Sequence, residues 1–154
     1  MTISFDLDDT LIPSVKRFDT ESRSFLHKAF KTEKIRKGTT YLMKRLQTDG
    51  HRIFIYTTSY RSAWKIWWMF FLQGIRIDKI INQTIHEKIL KERAKNYSKY
   101  PPAFGIDVHV DDSAGVEMEG NANHFQTIII TENTTDWTAS VLSRIAFLSQ
   151  PQAR

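Results

Sequence analysis

An α/β fold, built on a mostly parallel sheet with helices on both faces, is what this chain predicts. Three observations carry the expectation. Short, nearly continuous apolar runs recur along the chain and end in polar turn residues, the pattern of strands buried on both faces. Stretches with helical spacing of apolar residues alternate with those runs. The 154 residues match the length of one domain and show no internal repeat, low-complexity tract or linker.

Taken in order, the first strand is expected over residues 3–7, Ile-Ser-Phe-Asp-Leu. A helix over 39–49 places Leu42, Met43 and Leu46 on one face and stops at Gly50. The second strand, over 52–57, carries Ile53, Phe54, Ile55 and Tyr56. An aromatic-rich helix follows over 62–73 and ends at Gly74, and a weaker strand covers 79–82. Thr84-Ile85-His86-Glu87 matches a capping box, with Thr84 as N-cap, which predicts a helix through about residue 96. Pro101-Pro102 closes whatever precedes it. Two more strands are expected over 108–110 and 127–130, and a last helix over 136–148 aligns Val141 and Ile145.

Composition excludes several classes of function. Without cysteine there is no disulfide scaffold, thiolate zinc site, iron–sulfur cluster or cysteine nucleophile. A hydrophobic content of 41% is too high for general disorder. Acidic residues begin at Asp6, where a secretory signal would be apolar. The longest apolar run, over 64–72, is interrupted by Lys65 and falls short of the roughly 20 residues of a membrane span. These features lead us to expect a cytoplasmic chain with no membrane partner. The balance of 22 Lys+Arg against 17 Asp+Glu gives a net charge of +5, scattered rather than gathered in one tract. It describes a solvated surface that still attracts anionic partners, phosphorylated substrates or nucleic acid among them.

In parallel sheets ligands bind beyond the carboxyl ends of the strands, so the polar residues there matter most. The first strand runs into Asp6-Leu7-Asp8-Asp9-Thr10. Asp6 and Asp8 are two apart, which in an extended segment aims both carboxylates to one side. Two such carboxylates repel unless they share a proton or a cation, and magnesium suits a few carboxylates with phosphate oxygens. The second strand ends in Thr57-Thr58-Ser59, hydroxyls that can donate to phosphate. The strand at 108–110 ends in Asp111-Asp112-Ser113, a second acidic pair suited to a shared metal. Lys88, Lys91, Lys95 and Lys99 lie between, and one of them has the reach to offset this charge.

These residues resemble the haloacid dehalogenase superfamily of phosphohydrolases. Phe5-Asp6-Leu7-Asp8-Asp9-Thr10-Leu11 is similar to its first motif, Asp-x-Asp-x-Thr after an apolar strand. Thr57, or less well Thr58, stands for the second motif and Asp111-Asp112 for the fourth. For the lone lysine of the third motif the choice is Lys99, ahead of Pro101-Pro102, with Lys95 in reserve. The motifs keep the family's order over about residues 3–130.

The resemblance implies a three-layer, Rossmann-like, haloacid dehalogenase-like fold and a magnesium-dependent phosphatase. Asp6 would be the nucleophile that forms an aspartyl-phosphate, and Asp8 the acid and base. Mg2+ would be held by Asp6, the Asp8 carbonyl and Asp111, with Asp112 beside it or through water. Thr57 would hold a phosphoryl oxygen, Lys99 would balance charge, and Thr10, Thr58 and Arg61 would line the substrate site. Asp8 separates this pattern from the family's dehalogenases, and its pumps' Lys-Thr-Gly is absent.

The chain is therefore expected to be one catalytic domain, residues 1–154, whose only insert, about 12–38, forms a flap and a small helix rather than a cap. Basic residues of that insert, Lys16, Arg17 and Arg23, are candidates to meet a substrate. Trp64, Trp67, Trp68 and Phe71 share one helical stripe, expected to pack mostly inward, and any leftover face suits a weak homodimer or substrate stacking. None of the five histidines shows metal-ligand spacing. A monomeric phosphatase of small or macromolecular phosphates is the leading reading. A nucleic-acid end phosphatase and a non-catalytic phosphate- or partner-binding module are the alternatives.

Overall fold

In the computed structural model, which describes residues 1–22, 30 and 32–150, five parallel strands form one sheet. They are β1 (Thr2–Phe5), β2 (Arg52–Tyr56), β3 (Lys79–Ile81), β4 (Val108–Asp111) and β5 (Gln126–Ile129), in the order β3-β2-β1-β4-β5. Five helices flank them: α1 (Thr39–Thr48), α2 (Ala63–Phe71), α3 (Gln83–Leu90), α4 (Ala114–Asn123) and α5 (Trp137–Leu148). Two 3-10 turns, Lys91–Asn96 and Pro101–Phe104, fill the path from α3 to β4. Among the described residues no helix is long and apolar enough to cross a membrane.

The chain starts at the centre of the sheet, steps outward through β2 to β3, then returns to the other side of β1 for β4 and β5. The winding therefore reverses between β1 and β4, which opens a crevice beyond their carboxyl ends. Strand alternation divides the sheet into two unlike faces. Ile3, Phe5, Ile53, Ile55, Val108 and Val110 point to one face and are covered by Leu42 and Met43 of α1, Ile66 and Phe70 of α2, and Val141 and Ile145 of α5. The other face carries a smaller apolar cluster, Phe54, Tyr56, Ile81, Phe104 and Ile106, with Ile85 of α3 against it. In its centre this face turns polar, with Ser4 and His109 both fully buried. Gly120 lets α4 lie close to the sheet, since a Cβ there would come 2.8 Å from Thr127 Cγ2 and 3.0 Å from the Phe125 carbonyl oxygen.

Three expectations need correction. The capping box at Thr84 does not form: Asn82 is the N-cap of α3, its side chain accepting from the Ile85 amide at 3.1 Å. That helix does not reach residue 96 either, because Lys91 takes φ 53 and the chain continues as a 3-10 turn. The aromatic stripe of α2 faces outward, Trp64 being 66% and Phe71 51% exposed, with only Trp67 packed in part against the core. Ile66, Met69 and Phe70 form the inner face, at the same i, i+3, i+4 spacing. Periodicity therefore allows either face to turn inward.

Of the insert at 12–38, the described parts form one antiparallel bridge, Thr20 with Arg36. The expected small helix, and Arg23, fall on residues outside the described ones.

His86 is buried against the Tyr56 hydroxyl, 2.5 Å from its Nδ1, and burial lowers its pKa below the ordinary 6.5. The unfolded chain then binds more protons below pH 6.5, so the fold weakens by up to about 1.4 kcal/mol per pH unit from this residue. Asp6, whose pKa burial raises to about 6, acts in the opposite direction, so the contrast between variants is the informative reading. His86→Gln should lose less urea stability than the unsubstituted chain between pH 7.5 and pH 5.5. Equal losses would show that His86 is not held neutral.

Candidate active site

β1 and β4 lie side by side, and each is followed or ended by a carboxylate at the winding reversal. Phe5 pairs with Val110, and the Asp6 amide donates to the Val110 carbonyl at 2.8 Å, so Asp6 and Asp111 leave the sheet at the same level. By strand alternation both belong to the polar face of Ser4 and His109. Carboxylate oxygens of Asp6, Asp111 and Asp112 lie within 4.8 Å of one another. Asp8 is not in that trio. Its carboxylate is bound by Arg61, 2.7 Å from Oδ2.

Lys99 is the ammonium that meets this cluster. Its Nζ donates to Asp6 Oδ1 at 2.5 Å and to the Tyr56 carbonyl at 3.0 Å, and lies 3.5 Å from Asp111 Oδ2. The side chain is only 3% exposed. Lys95, by contrast, is exposed and lies 3.4 Å from Glu92. Glu119 of α4 fixes the loop that delivers Lys99, accepting from the amides of Ser98 and Lys99 at 3.0 and 3.1 Å. As one acid on an ordinary helix, Glu119 gives no sign of this role in the sequence.

His109 orients Asp111 from behind. Its Nδ1 is 2.7 Å from Ser4 Oγ and its Nε2 is 3.0 Å from Asp111 Oδ2. A neutral ring satisfies both contacts, with Ser4 donating to Nδ1 and Nε2–H donating to the carboxylate. Asp111 Oδ1 accepts from the Ser113 amide at 2.9 Å. His109 alternates with valines on a buried strand, and that placement alone could not distinguish packing from this role.

The remaining candidates form a rim. Thr10 is fully buried and donates to Asp112 Oδ1 at 3.1 Å, so it holds Asp112. Lys16 pairs with Asp112 Oδ2 at 2.7 Å, its backbone amide anchored on Asp9 Oδ1. Arg61 binds Asp8 Oδ2 at 2.7 Å and Glu33 Oε1 at 2.9 Å, and its carbonyl accepts from Asn82. Thr57 is buried at the end of β2, and its Oγ1 accepts from the Ser59 amide at 3.1 Å. Thr58, beside it, is exposed.

The charges are unbalanced at the centre. Burial pushes the Asp6 carboxyl up to about 6; the Lys99 ammonium opposes that shift and Asp111 adds to it. Burial also acts to raise Asp111, but the His109 hydrogen bond and the Lys99 charge outweigh it and hold Asp111 well below the usual range. Burial works against the Lys99 charge, yet the two carboxylates raise its pKa. One ammonium thus serves two buried carboxylates, and a further cation would favour the ionised form of both. The donor set, three carboxylates and no sulfur or imidazole in the trio, fits a hard cation.

Comparison with protein-family models gives no match for this chain, and comparison with curated protein sequences gives none either.

Removing the central ammonium leaves two buried carboxylates facing each other. Lys99→Met should therefore cost about 3–5 kcal/mol of stability at neutral pH, measured by urea denaturation. A cost below about 1 kcal/mol would mean that the carboxylates do not depend on Lys99.

Proposed function

We propose that this chain is a magnesium-dependent phosphomonoester hydrolase of the haloacid dehalogenase type, acting through an aspartyl-phosphate on Asp6. The observation that supports it most is the trio Asp6, Asp111 and Asp112 at the winding reversal of a parallel sheet, with buried Lys99 bonded to Asp6. The motif order in the sequence supports it independently.

Asp6, Asp111 and Asp112 are the residues that would hold Mg2+. When bound, Mg2+ offsets the negative charge of the carboxylates and of the incoming phosphoryl group. The chain's own groups do the rest. Lys99 keeps Asp6 ionised and fixes Oδ1. A carboxylate oxygen of Asp6 attacks phosphorus, and the bond from phosphorus to the leaving oxygen breaks as Asp8 gives that oxygen a proton. A water then gives a proton to Asp8 and attacks the aspartyl-phosphate, releasing inorganic phosphate and restoring Asp6. Thr57 accepts from the Ser59 amide, which leaves its O–H to donate to a phosphoryl oxygen. Arg61 lies on Asp8 at the rim, 2.7 Å from Oδ2. This is positioning and electrostatic stabilisation, the means by which phosphoryl transfer is usually accelerated.

The insert at 12–38 is too short for a folded cap, so the site is open and its rim sets specificity. We take the substrate to be a phosphorylated molecule met by the chain as a monomer.

Asp6→Asn keeps the size of the side chain and leaves Lys99 with Asp111. It should abolish turnover of para-nitrophenyl phosphate, by at least about a thousandfold, while the thermal unfolding transition stays cooperative. Chelating magnesium with EDTA should stop the unsubstituted enzyme, and magnesium should restore it. Full activity of Asp6→Asn would rule out the covalent route.

A further inference from the structure

Beside the rim the structure carries a second feature that the hydrolytic chemistry does not use. A cleft of about 420 Å³ opens between Phe30, Thr32 and Glu33 on one side and α2 on the other. Phe30, Ile66, Trp68 and Met69 supply its apolar surface, and Arg61 and Lys65 its cations. The rings are arranged rather than scattered. Phe30 meets Trp68 edge-on, with centroids 5.5 Å apart and planes at 82°. Trp68 in turn stacks on Phe71 at 5.5 Å and on Trp64 at 5.8 Å.

Arg61 joins this cleft to the candidate active site. One arm of its guanidinium lies on Asp8, the proposed proton donor to the leaving oxygen, while the same side chain lines the cleft. A leaving group that extends from Asp8 past Arg61 therefore enters the aromatic cleft. The volume lies within the range of small-molecule pockets, and apolar walls with a few polar groups are their usual lining. Arg61 is paired with Asp8 and with Glu33, an acid that also lines the cleft.

Building on the hydrolase reading, we infer that the substrate is a phosphomonoester whose leaving group carries a planar aromatic ring, and that this ring stacks in the cleft against Trp68. An aryl group and a nucleobase share this chemistry, and α-naphthyl phosphate and adenosine monophosphate represent the two sources.

The test compares kcat/KM for α-naphthyl phosphate, adenosine monophosphate and glycerol phosphate in the unsubstituted enzyme, Trp68→Ala, Trp68→Phe and the remote Phe147→Ala. Each variant is compared with the unsubstituted enzyme on the same substrate, so intrinsic leaving-group reactivity cancels. Trp68→Ala should lower kcat/KM about tenfold for at least one aromatic substrate and leave glycerol phosphate within twofold. Whichever aromatic substrate suffers identifies the source. Trp68→Phe should recover most of the loss, and Phe147→Ala should change nothing. Equal losses on all three substrates, or none, would overturn the subsite while the hydrolase reading stands.

Binding separates the two ideas further. Tryptophan fluorescence of Asp6→Asn in magnesium should show saturable quenching by α-naphthyl phosphate that Trp68→Ala weakens about tenfold. That result without turnover of any phosphate by the unsubstituted enzyme would keep the subsite and remove the hydrolase. Absence of saturable quenching, or a concentration-dependent dimer lost in Trp68→Ala with no effect on substrates, would assign the rings to another role.

Discussion

The buried ammonium of Lys99 is the interaction on which the site depends. Asp6 and Asp111 reach the same level of adjacent strands and sit close together away from water, where two negative charges cannot coexist unaided. Lys99 bonds to Asp6, lies near Asp111, and ties both to the backbone of β2 through the Tyr56 carbonyl. Three strands are therefore fastened at one point. The surrounding elements serve to deliver that point: Glu119 of α4 holds the Lys99 loop, Pro101 starts the next turn, and the Tyr56 hydroxyl accepts from the Tyr100 amide at 2.9 Å.

A parallel sheet covered on both faces is normally apolar throughout, and here one face is not. Its middle holds Ser4, His109, Asp6 and Asp111, all buried and all bonded to protein partners. The apolar face, packed against α1, α2 and α5, provides the stability that allows this polar row. At the rim Lys16 pairs with Asp112, and Arg61 is shared between Asp8 and Glu33. The centre is buried and hydrogen-bonded, whereas the rim pairs are part-exposed.

Much of this was legible in the sequence, because buried parallel strands write themselves as apolar runs and their ends stand out as polar. All five strands and the ends bearing Asp6, Thr57 and Asp111 follow from that contrast. Lys99 was distinguishable from Lys95 because prolines fix the chain after it. What escaped was orientation and local competition. Two helical faces of α2 have the same spacing, so the pattern does not say that Ile66 and Met69 turn in and the tryptophans out. Asn82 wins the cap from Thr84 because the strand it follows already sets its extended backbone. α4 buries only Val116 and Gly120, too little to announce a helix. Glu119, the Ser4–His109 contact and the Asp8–Arg61 pair depend on residues far apart in the chain, which spacing alone does not bring together.

The covalent intermediate is the direct test. Asp8→Asn removes the group that would activate water, so a phosphoryl group transferred to the enzyme should persist. The variant would be mixed with phosphorus-labelled para-nitrophenyl phosphate and magnesium, quenched in acid, digested and mapped by mass spectrometry. The expected result is one phosphorylated peptide, carrying the group on Asp6 and losing it to hydroxylamine as acyl phosphates do. A phosphoryl group on a serine, threonine, lysine or histidine, or turnover by the unsubstituted enzyme with no label on Asp6 in either protein, would contradict it.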